Sequence, residues 1–498
     1  MAEPIFATDR RIRLGIWGLG RGLHLSGPCE LLNIDVVAGC DASASMRRNF
    51  EARFPGAFVT DNADAFLARD FDAVLLASYC TEHGPDAVRC LKAGKHVLSE
   101  VTSFATMAEG VRLVETVEET GLVYQLAENY PFTRPNQWLA RKWREGLFGD
   151  LMYGEYEYVH EILTLSYTDI NGVPIEPGNR PHAWRSWFSY HYYDTHSLGP
   201  IMVITGERPV RVVSLPCDHA LPGYLMRGRW GIGGAAPSLI RTSGGGLVRN
   251  LMGATTNDSH VQRLWGTRGS AEQIDGRLRL RLGGHGGSPK FEVEPKWDSL
   301  GELAEATGHG GGDFWVLYYF ARELLTGEPG PWGIYAAADC TIPGILAYRS
   351  QVEGGVAYDV PDFRKPEDRR RWRDDEFHSP RFDVENGLFG EGASDPRTLR
   401  FAATMRDLIE GMNAWCAWRD WSAVEADMAD PAALRGVAEG LVRELPRLRA
   451  ACATARELVA SYPATPAARV LREQMERADL GALDDPAFED RLRRETGA

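Results

Sequence analysis

Apolar positions in the first 130 residues come in short runs separated by stretches of helical spacing. Ile12-Arg13-Leu14-Gly15-Ile16-Trp17, Ile34 to Asp41, Ala73 to Ala77, His96 to Ser99 and Leu122 to Leu126 read as strands. Between them, His83 to Ala93 reads as a helix, and Ala108 to Thr120 sets Val111, Val114 and Val117 on one face. Strands alternating with helices predict an α/β fold with a parallel, doubly wound sheet.

After about Tyr130 the pattern changes. Pro135 to Glu145 has helical spacing, and Leu151 to His160 alternates as a half-solvated antiparallel strand does. Val210 to Leu215, Ser238 to Thr242, Leu247 to Gly253, His260 to Gly266 and Leu278 to Leu282 continue the strand pattern between glycine clusters, and Phe314 to Leu325 closes the region as a helix. This predicts a second, α+β domain with one open, mostly antiparallel sheet. From Lys365 the chain turns polar. The run Asp368 to Glu376 reads as a solvated linker. Leu399 to Trp418 and Ala432 to Ser461 are helical, the latter bent at Pro446, and Pro463 to Ala498 reads as a short helix and an acidic tail. The expected domains are 1–130, 131–365 and a helical extension over 366–498.

A chain of 498 residues exceeds a single core and is consistent with that division. The net charge of −14 lacks the basic footprint of a nucleic-acid binder. The 8 cysteines are scattered without a Cys-x-x-Cys pair, as in a reduced, cytoplasmic protein. No apolar run is long enough for a membrane span, and Met1 to Arg11 has no apolar signal core. The chain is thus expected to act on a small molecule, without nucleic acid or membrane.

The chemistry begins at Gly18-Leu19-Gly20-Arg21-Gly22-Leu23-His24, between strand and helix. Glycines there let backbone N–H groups approach a pyrophosphate at a helix N-terminus. Gly18 and Gly20 fit a dinucleotide loop, while Leu23 falls where a third glycine is expected and Gly22 comes one position early. Asp41 ends the next strand about 20 residues on, where an acid binds ribose hydroxyls and repels a 2′-phosphate. The cofactor predicted is NAD. As an alternative, Gly18 to Gly22 is a tight turn and Asp41 a helix cap.

Downstream, Gly94-Lys95-His96-Val97-Leu98-Ser99-Glu100-Val101-Thr102 resembles the glucose–fructose oxidoreductase / inositol dehydrogenase / MocA (Gfo/Idh/MocA) family, over most of Ile12 to Phe363. In that family a strand ending in Glu-Lys-Pro meets the nicotinamide, and its lysine helps deprotonate an alcohol. Here Glu100 remains, and Val101 and Thr102 replace Lys and Pro. The resemblance implies that Tyr79, His83, Glu100, Arg21, Gly22 and Asn129 lie at the cofactor. His83 could equally cap a helix or sit in the core.

A narrower resemblance, within that family, is to NAD-dependent glycosidases of the bacterial α-N-acetylgalactosaminidase type. Six segments carry it, in order: Glu100-Val101; Glu128-Asn129; Tyr158-Val159-His160-Glu161 after Phe148 to Leu151; Trp184-Arg185; Tyr193-Asp194-Thr195-His196-Ser197-Leu198-Gly199-Pro200; and Gly308-His309-Gly310-Gly311-Gly312-Asp313. The departures are Asp194 for Pro, Ser197 for Gly and Thr102 for Pro, together with an unmatched insertion over Tyr167 to His182 and the C-terminal segment. The resemblance implies oxidation at sugar C3, loss of the C2 proton, elimination at C1, addition of water and re-reduction, unlike the two-carboxylate route of most glycosidases.

By that resemblance Tyr193 and His196 handle the hydroxyl and C2 protons, with acid and base unassigned between them. Glu128, Tyr158 and Arg185 orient the sugar or polarise its carbonyl, and His160, Trp184, His309 and Asp313 line the substrate. Each has a plainer reading: aromatic packing for Tyr193, a core histidine for His196, a turn cap for Glu128, a helix cap for His309 and Asp313. His160, Glu161, His191, Asp194 and His196 could ligate a metal, but no paired spacing stands out, so none is expected. A sugar or polyol dehydrogenase releasing net NADH is the alternative function, and a non-catalytic nucleotide-binding scaffold a third. The family's open second sheet commonly forms a subunit interface, which implies a homo-oligomer.

Overall fold

A computed structural model describes residues 5–175, 183–297, 299–382, 387–390, 396–478, 480–485 and 487–496. Residues 176–182 of the insertion, and the last two residues of the expected tail, lie outside that set.

The first half of the larger unit is the predicted doubly wound sheet. In chain order it runs β1 (Ile12–Trp17), α1 (Leu19–Leu25), β2 (Ile34–Cys40), α2 (Ala44–Arg53), β3 (Phe58–Thr60), α3 (Ala63–Leu67) and β4 (Ala73–Leu76). It continues through α4 (His83–Lys92), β5 (His96–Ser99), α5 (Met107–Thr120) and β6 (Tyr124–Leu126). All pairs are parallel, in the order β3-β2-β1-β4-β5-β6. Every residue of β4 is buried, which is why its sequence is a continuous apolar run. Chain order reverses beside β1, so the crevice at the carboxyl ends of β1 and β4 is where such a sheet takes its ligand.

The second sheet begins after α6 (Arg134–Arg144). Its strands are β7 (Leu151–Val159), β8 (Pro209–Val213), β9 (Ala235–Thr242), β10 (Leu247–Gly253), β11 (Gln262–Gly266), β12 (Gly269–Ile274), β13 (Arg277–Leu282), β14 (Lys290–Val293) and β15 (Tyr358–Asp359). They lie in the order β14-β13-β12-β11-β7-β10-β9-β8-β15, antiparallel except for the parallel pair β7 and β10. β12 and β14 were not anticipated, because Glu272, Gln273, Lys290 and Glu292 break the apolar alternation. One face is covered by α7 (Thr195–Thr205), where the Ser197 hydroxyl donates to Met252 Sδ at 2.9 Å. The helices α8 (Gly301–Glu305), α9 (Gly312–Thr326), α10 (Ile334–Val352) and α11 (Pro366–Arg370) complete the unit.

The charged run 368–376, expected as a solvated linker, is docked instead. Arg369 is buried and pairs with Glu118 at 2.6 Å, Arg373 pairs with Glu115, and Asp375 takes Arg349 at 2.6 Å. Glu115 and Glu118 sit one helical turn apart on α5, which supplies a matching acidic edge.

The chain divides into two compact units. The larger comprises Met1–Glu161, Phe188–His219 and Gly228–Pro380; the smaller comprises Ile162–Trp187, Ala220–Arg227 and Arg381–Ala498. The smaller is helical, with α12 (Pro396–Ser422), α13 (Ala433–Ser461), α14 (Pro466–Glu476) and α15 (Phe488–Thr496). The last two replace the expected short helix and tail. Pro446 lies inside α13 without ending it. α12 and α13 pack through Phe401, Met405, Leu408 and Met412 against Leu441, Leu445 and Leu448, all buried. Gly411 makes room, since a β-carbon there would meet Leu448 Cβ at 2.7 Å. The shorter segments join this bundle: the Tyr167 ring stands edge-on to Phe401 at 5.5 Å, and Arg406 and Arg469 donate to the carbonyls of Gly172 and Leu225.

No helix of the described residues is long and apolar enough to cross a membrane. Leu448→Ala should cost about 2–5 kcal/mol through the cavity left against Gly411. Urea unfolding followed by helical circular dichroism checks this, and an unchanged midpoint would contradict the packing described.

Candidate functional site

The glycine loop sits at the carboxyl end of β1. Gly18 has φ 94°, and a β-carbon there would run into the Ala77 carbonyl beyond β4, so only glycine closes this turn. A β-carbon at Gly20 would meet nothing within 4 Å, which leaves that side of the loop open. Asp41 follows β2 and turns back on the loop. Its carboxylate accepts from the N–H of Leu19 and of Ser43, each at 2.7 Å. The cap alternative for Asp41 is therefore present in the structure. Burial raises this carboxyl, and the two backbone bonds oppose that rise. A closely approached glycine turn with an acid held beside it fits a dinucleotide.

Arg21 ties the loop to the rest of the unit. Its Nε donates to Glu100 at 2.8 Å, and its two terminal nitrogens form a fork on Asp313 at 3.0 and 2.8 Å. Asp313 also takes Asn129 Nδ2 at 2.8 Å and His309 Nδ1 at 3.1 Å. Burial opposes ionisation of Asp313, but the bonds from His309 and Arg21 outweigh it and hold the carboxyl well below the usual range. Gly312 brings α9 to this point, since a β-carbon there would strike the Asn129 carbonyl. Glu100 also accepts from the Val101 N–H at 3.1 Å. Arg21, Glu100, Asn129, His309 and Asp313, predicted in different roles, thus form one network.

His83 opens α4 and is buried. Its ring nitrogens lie 3.1 Å from the carbonyls of Thr102 and Ser78. Burial lowers its basicity. It ties together the two strand-end turns that carry Tyr79 and Glu100, which matches its core alternative.

The second centre lies at the end of β6 and the start of α7. Glu128 is fully buried, and both its oxygens lie 2.9 Å from His196 Nδ1. A carboxylate at Nδ1 makes that nitrogen the donor and leaves Nε2 as the free lone pair. Glu128 also accepts from the Tyr130 N–H at 3.1 Å, so its turn-cap reading holds alongside the ion-pair geometry. Three tyrosine rings surround the imidazole, with centroids at 4.6 Å for Tyr193, 4.7 Å for Tyr130 and 4.8 Å for Tyr158. Tyr193 ends a 3-10 turn at Tyr190–Tyr193, and His196 lies in the first turn of α7, so the two rings meet at 85°.

Two residues of this wall escaped the sequence reading. Tyr130 stacks on His260 at 5.8 Å, and its hydroxyl shares a 3.3 Å hydrogen bond with His260 Nε2. Burial lowers His260, and burial raises Tyr130. His160 stands 6.3 Å from His260 and bonds Asp258 at 3.0 Å. The available signal was the His260 that opens β11's approach to Tyr158 across the sheet. Trp184 and Arg185 belong to the smaller unit, where the guanidinium lies over the indole at 4.5 Å. The described residues contain no cluster of metal-ligating side chains.

Residues 12–128 match the model of the oxidoreductase family with an NAD-binding Rossmann fold, and 289–371 match the glycosyl hydrolase 109 C-terminal domain. A glycosyl hydrolase family 109 protein of Shewanella putrefaciens is 26% identical over 400 residues, covering 71% of this chain and 85% of that protein. One from Saccharopolyspora erythraea is 27% identical over 419 residues, covering 75% and 87%. Among solved structures, an Agrobacterium radiobacter oxidoreductase in complex with NAD+, L-tartaric acid and magnesium superposes with a TM-score of 0.57 at 16% identity, over 70% of this chain and 99% of that one. An Azotobacter vinelandii inositol dehydrogenase homolog with NADH and myo-inositol gives 0.55 at 20%, over 70% and 98%. These likenesses place the fold.

Gly18→Ala should abolish NAD binding in calorimetry, because the loop must open to admit the methyl. Arg21→Ala leaves the buried Asp313 without its cation and should cost about 3–5 kcal/mol in denaturant unfolding. Wild-type stability for that variant would show that the fork is dispensable.

Proposed function

The chain is an enzyme of the Gfo/Idh/MocA type with a glycosyl hydrolase 109 C-terminal domain, and from that premise we propose that it is an NAD-dependent glycosidase. The observation that carries this reading is the buried His196–Glu128 pair inside a ring of tyrosines. It stands in place of the missing lysine at Val101.

When bound, NAD supplies the reversible exchange of hydride at sugar C3. His196 would take the C3 hydroxyl proton on Nε2, with Glu128 stabilising the imidazolium through Nδ1–H. Tyr193 and Tyr158, whose rings flank the same imidazole, hold the sugar oxygens there. The C3 ketone acidifies the C2 proton. Tyr193 relays that proton to the departing C1 oxygen, so cleavage of the C1–O bond releases the aglycone as its alcohol and leaves a C1–C2 double bond. Water then adds, hydroxyl at C1 and proton at C2, and His196 would give its proton back to the C3 oxygen as the ketone is reduced. The sum is one water consumed and one glycosidic bond broken. Arg21 and Glu100 serve the cofactor side, at the far end of the Asn129 turn from Glu128. The scattered cysteines support a cytoplasmic location and the family resemblance a homo-oligomer, whose assembly light scattering checks.

A panel of nitrophenyl glycosides in deuterated buffer tests the proposal. Aglycone should appear without net NADH, and the released sugar should carry deuterium at C2. NADH accumulating with the glycosidic bond intact would instead identify a dehydrogenase. His196→Ala should lower the rate by about 10²–10⁴-fold while NAD still binds.

A further inference from the structure

The turn that carries Tyr193 and His196 contains a group that the reaction above leaves unused. Asp194 precedes α7, at the position where an aspartate ordinarily accepts from the first helical amides. Its side chain makes no such bond. It turns inward instead, 1% exposed, and neither oxygen has a hydrogen-bond partner among the described residues. Oδ1 lies against α10 at Gly344, where a β-carbon would meet it at 2.7 Å. The main chain of Asp194 is fully used, with its N–H on the His191 carbonyl and its carbonyl taking Ser197 and Leu198.

Among the described residues no cation acts on this carboxyl. From α10 comes Cys340, a buried thiol that burial pushes upward, while the neighbouring Asp339 is turned to Arg208 and Arg364. From its own turn comes His191, which burial pushes down to about 4 and so keeps neutral, together with Tyr193 and His196. From the β6 end comes Glu128, whose charge adds to burial in driving Asp194 upward. A bare anion in a pocket without donors, facing a second anion, is among the costliest arrangements in a protein interior. A carboxylic acid carries no such charge and brings an O–H of its own.

We propose that Asp194 is a positioning residue that works uncharged, holding the Tyr193–His196 turn against α10 and leaving Glu128 the single anion behind His196. Its bearing on catalysis rests on the glycosidase reading; its protonation state does not. The consequence for stability has a definite sign. An acid protonated in the fold but ionised in the unfolded chain lowers stability as pH rises above the unfolded carboxylate value of about 4, until it ionises in the fold. Each pH unit in that window shifts the unfolding equilibrium by up to about tenfold. Asp194→Asn removes the effect.

The test compares melting temperatures of the full chain and Asp194→Asn between about pH 5 and pH 8. The difference in favour of the variant should grow with pH by about 2–4 °C. A flat or shrinking difference would overturn the proposal, because it would mean that the native carboxyl is ionised. The infrared spectrum of the wild-type protein at the upper pH provides a check independent of how well the variant folds. A protonated carboxyl band should be present there and its absence would sink the idea. On a cleaved nitrophenyl glycoside, the alkaline limb of the rate should move to higher pH in Asp194→Asn. Failure to cleave any glycoside would count against the glycosidase alone.

Discussion

The fork of Arg21 on Asp313, with its third contact on Glu100, is the interaction on which the arrangement of the site depends. A glycine loop is flexible by composition, and in this chain the helix after it has only seven residues. The guanidinium fixes that loop to the end of β5 and to the start of α9 at once. A lysine could not do this, because a point charge lacks the planar geometry that meets a carboxylate with two parallel bonds. Asp313 in turn orders Asn129, and the residue before Asn129 is Glu128. One buried charge pair therefore sets the position of the glycine loop and of the turn that carries Glu128.

The replacement of lysine by valine at position 101 changes the electrostatics of the site. A lysine would bring a permanent positive charge beside the hydroxyl to be deprotonated. On the proposed reading the proton passes instead to the His196 imidazole, which Glu128 backs at 2.9 Å. Such a pair can take and return the same proton without net change, which suits a reaction whose first and last steps are the reverse of each other.

The sequence displayed the parallel sheet almost strand by strand, because fully buried strands are written as unbroken apolar runs. β10 was legible to the residue. β12 and β14 were not, since a sheet with one wet face tolerates Glu272 and Lys290 and so loses its alternation. The charged stretch at 368–376 looked like solvent-facing linker because sequence shows charge but not the Glu115–Glu118 edge that neutralises it. At the site, the ordered segments located Glu128, Tyr193 and His196. They did not reveal that Glu128 and His196 bond directly, which depends on α7 meeting the end of β6. Tyr130 reaches the imidazole from the turn that follows Glu128, and His260 arrives there only because the chain entering β11 pairs beside β7.

The smaller unit is assembled from three stretches of chain, and two of them interrupt the larger one. The chain leaves the larger unit after β7, returns for α7 and β8, leaves again at Ala220–Arg227 and returns for β9. This has a practical meaning for anyone dissecting the protein. No single cut separates the units. Ending the chain at Pro380 would remove α12 to α15 yet keep Tyr167, Gly172 and Leu225, exposing surfaces that the helices cover and carbonyls that Arg406 and Arg469 satisfy. An excised version of either unit needs its internal excursions replaced by short loops as well, because segments of the two units alternate along the chain.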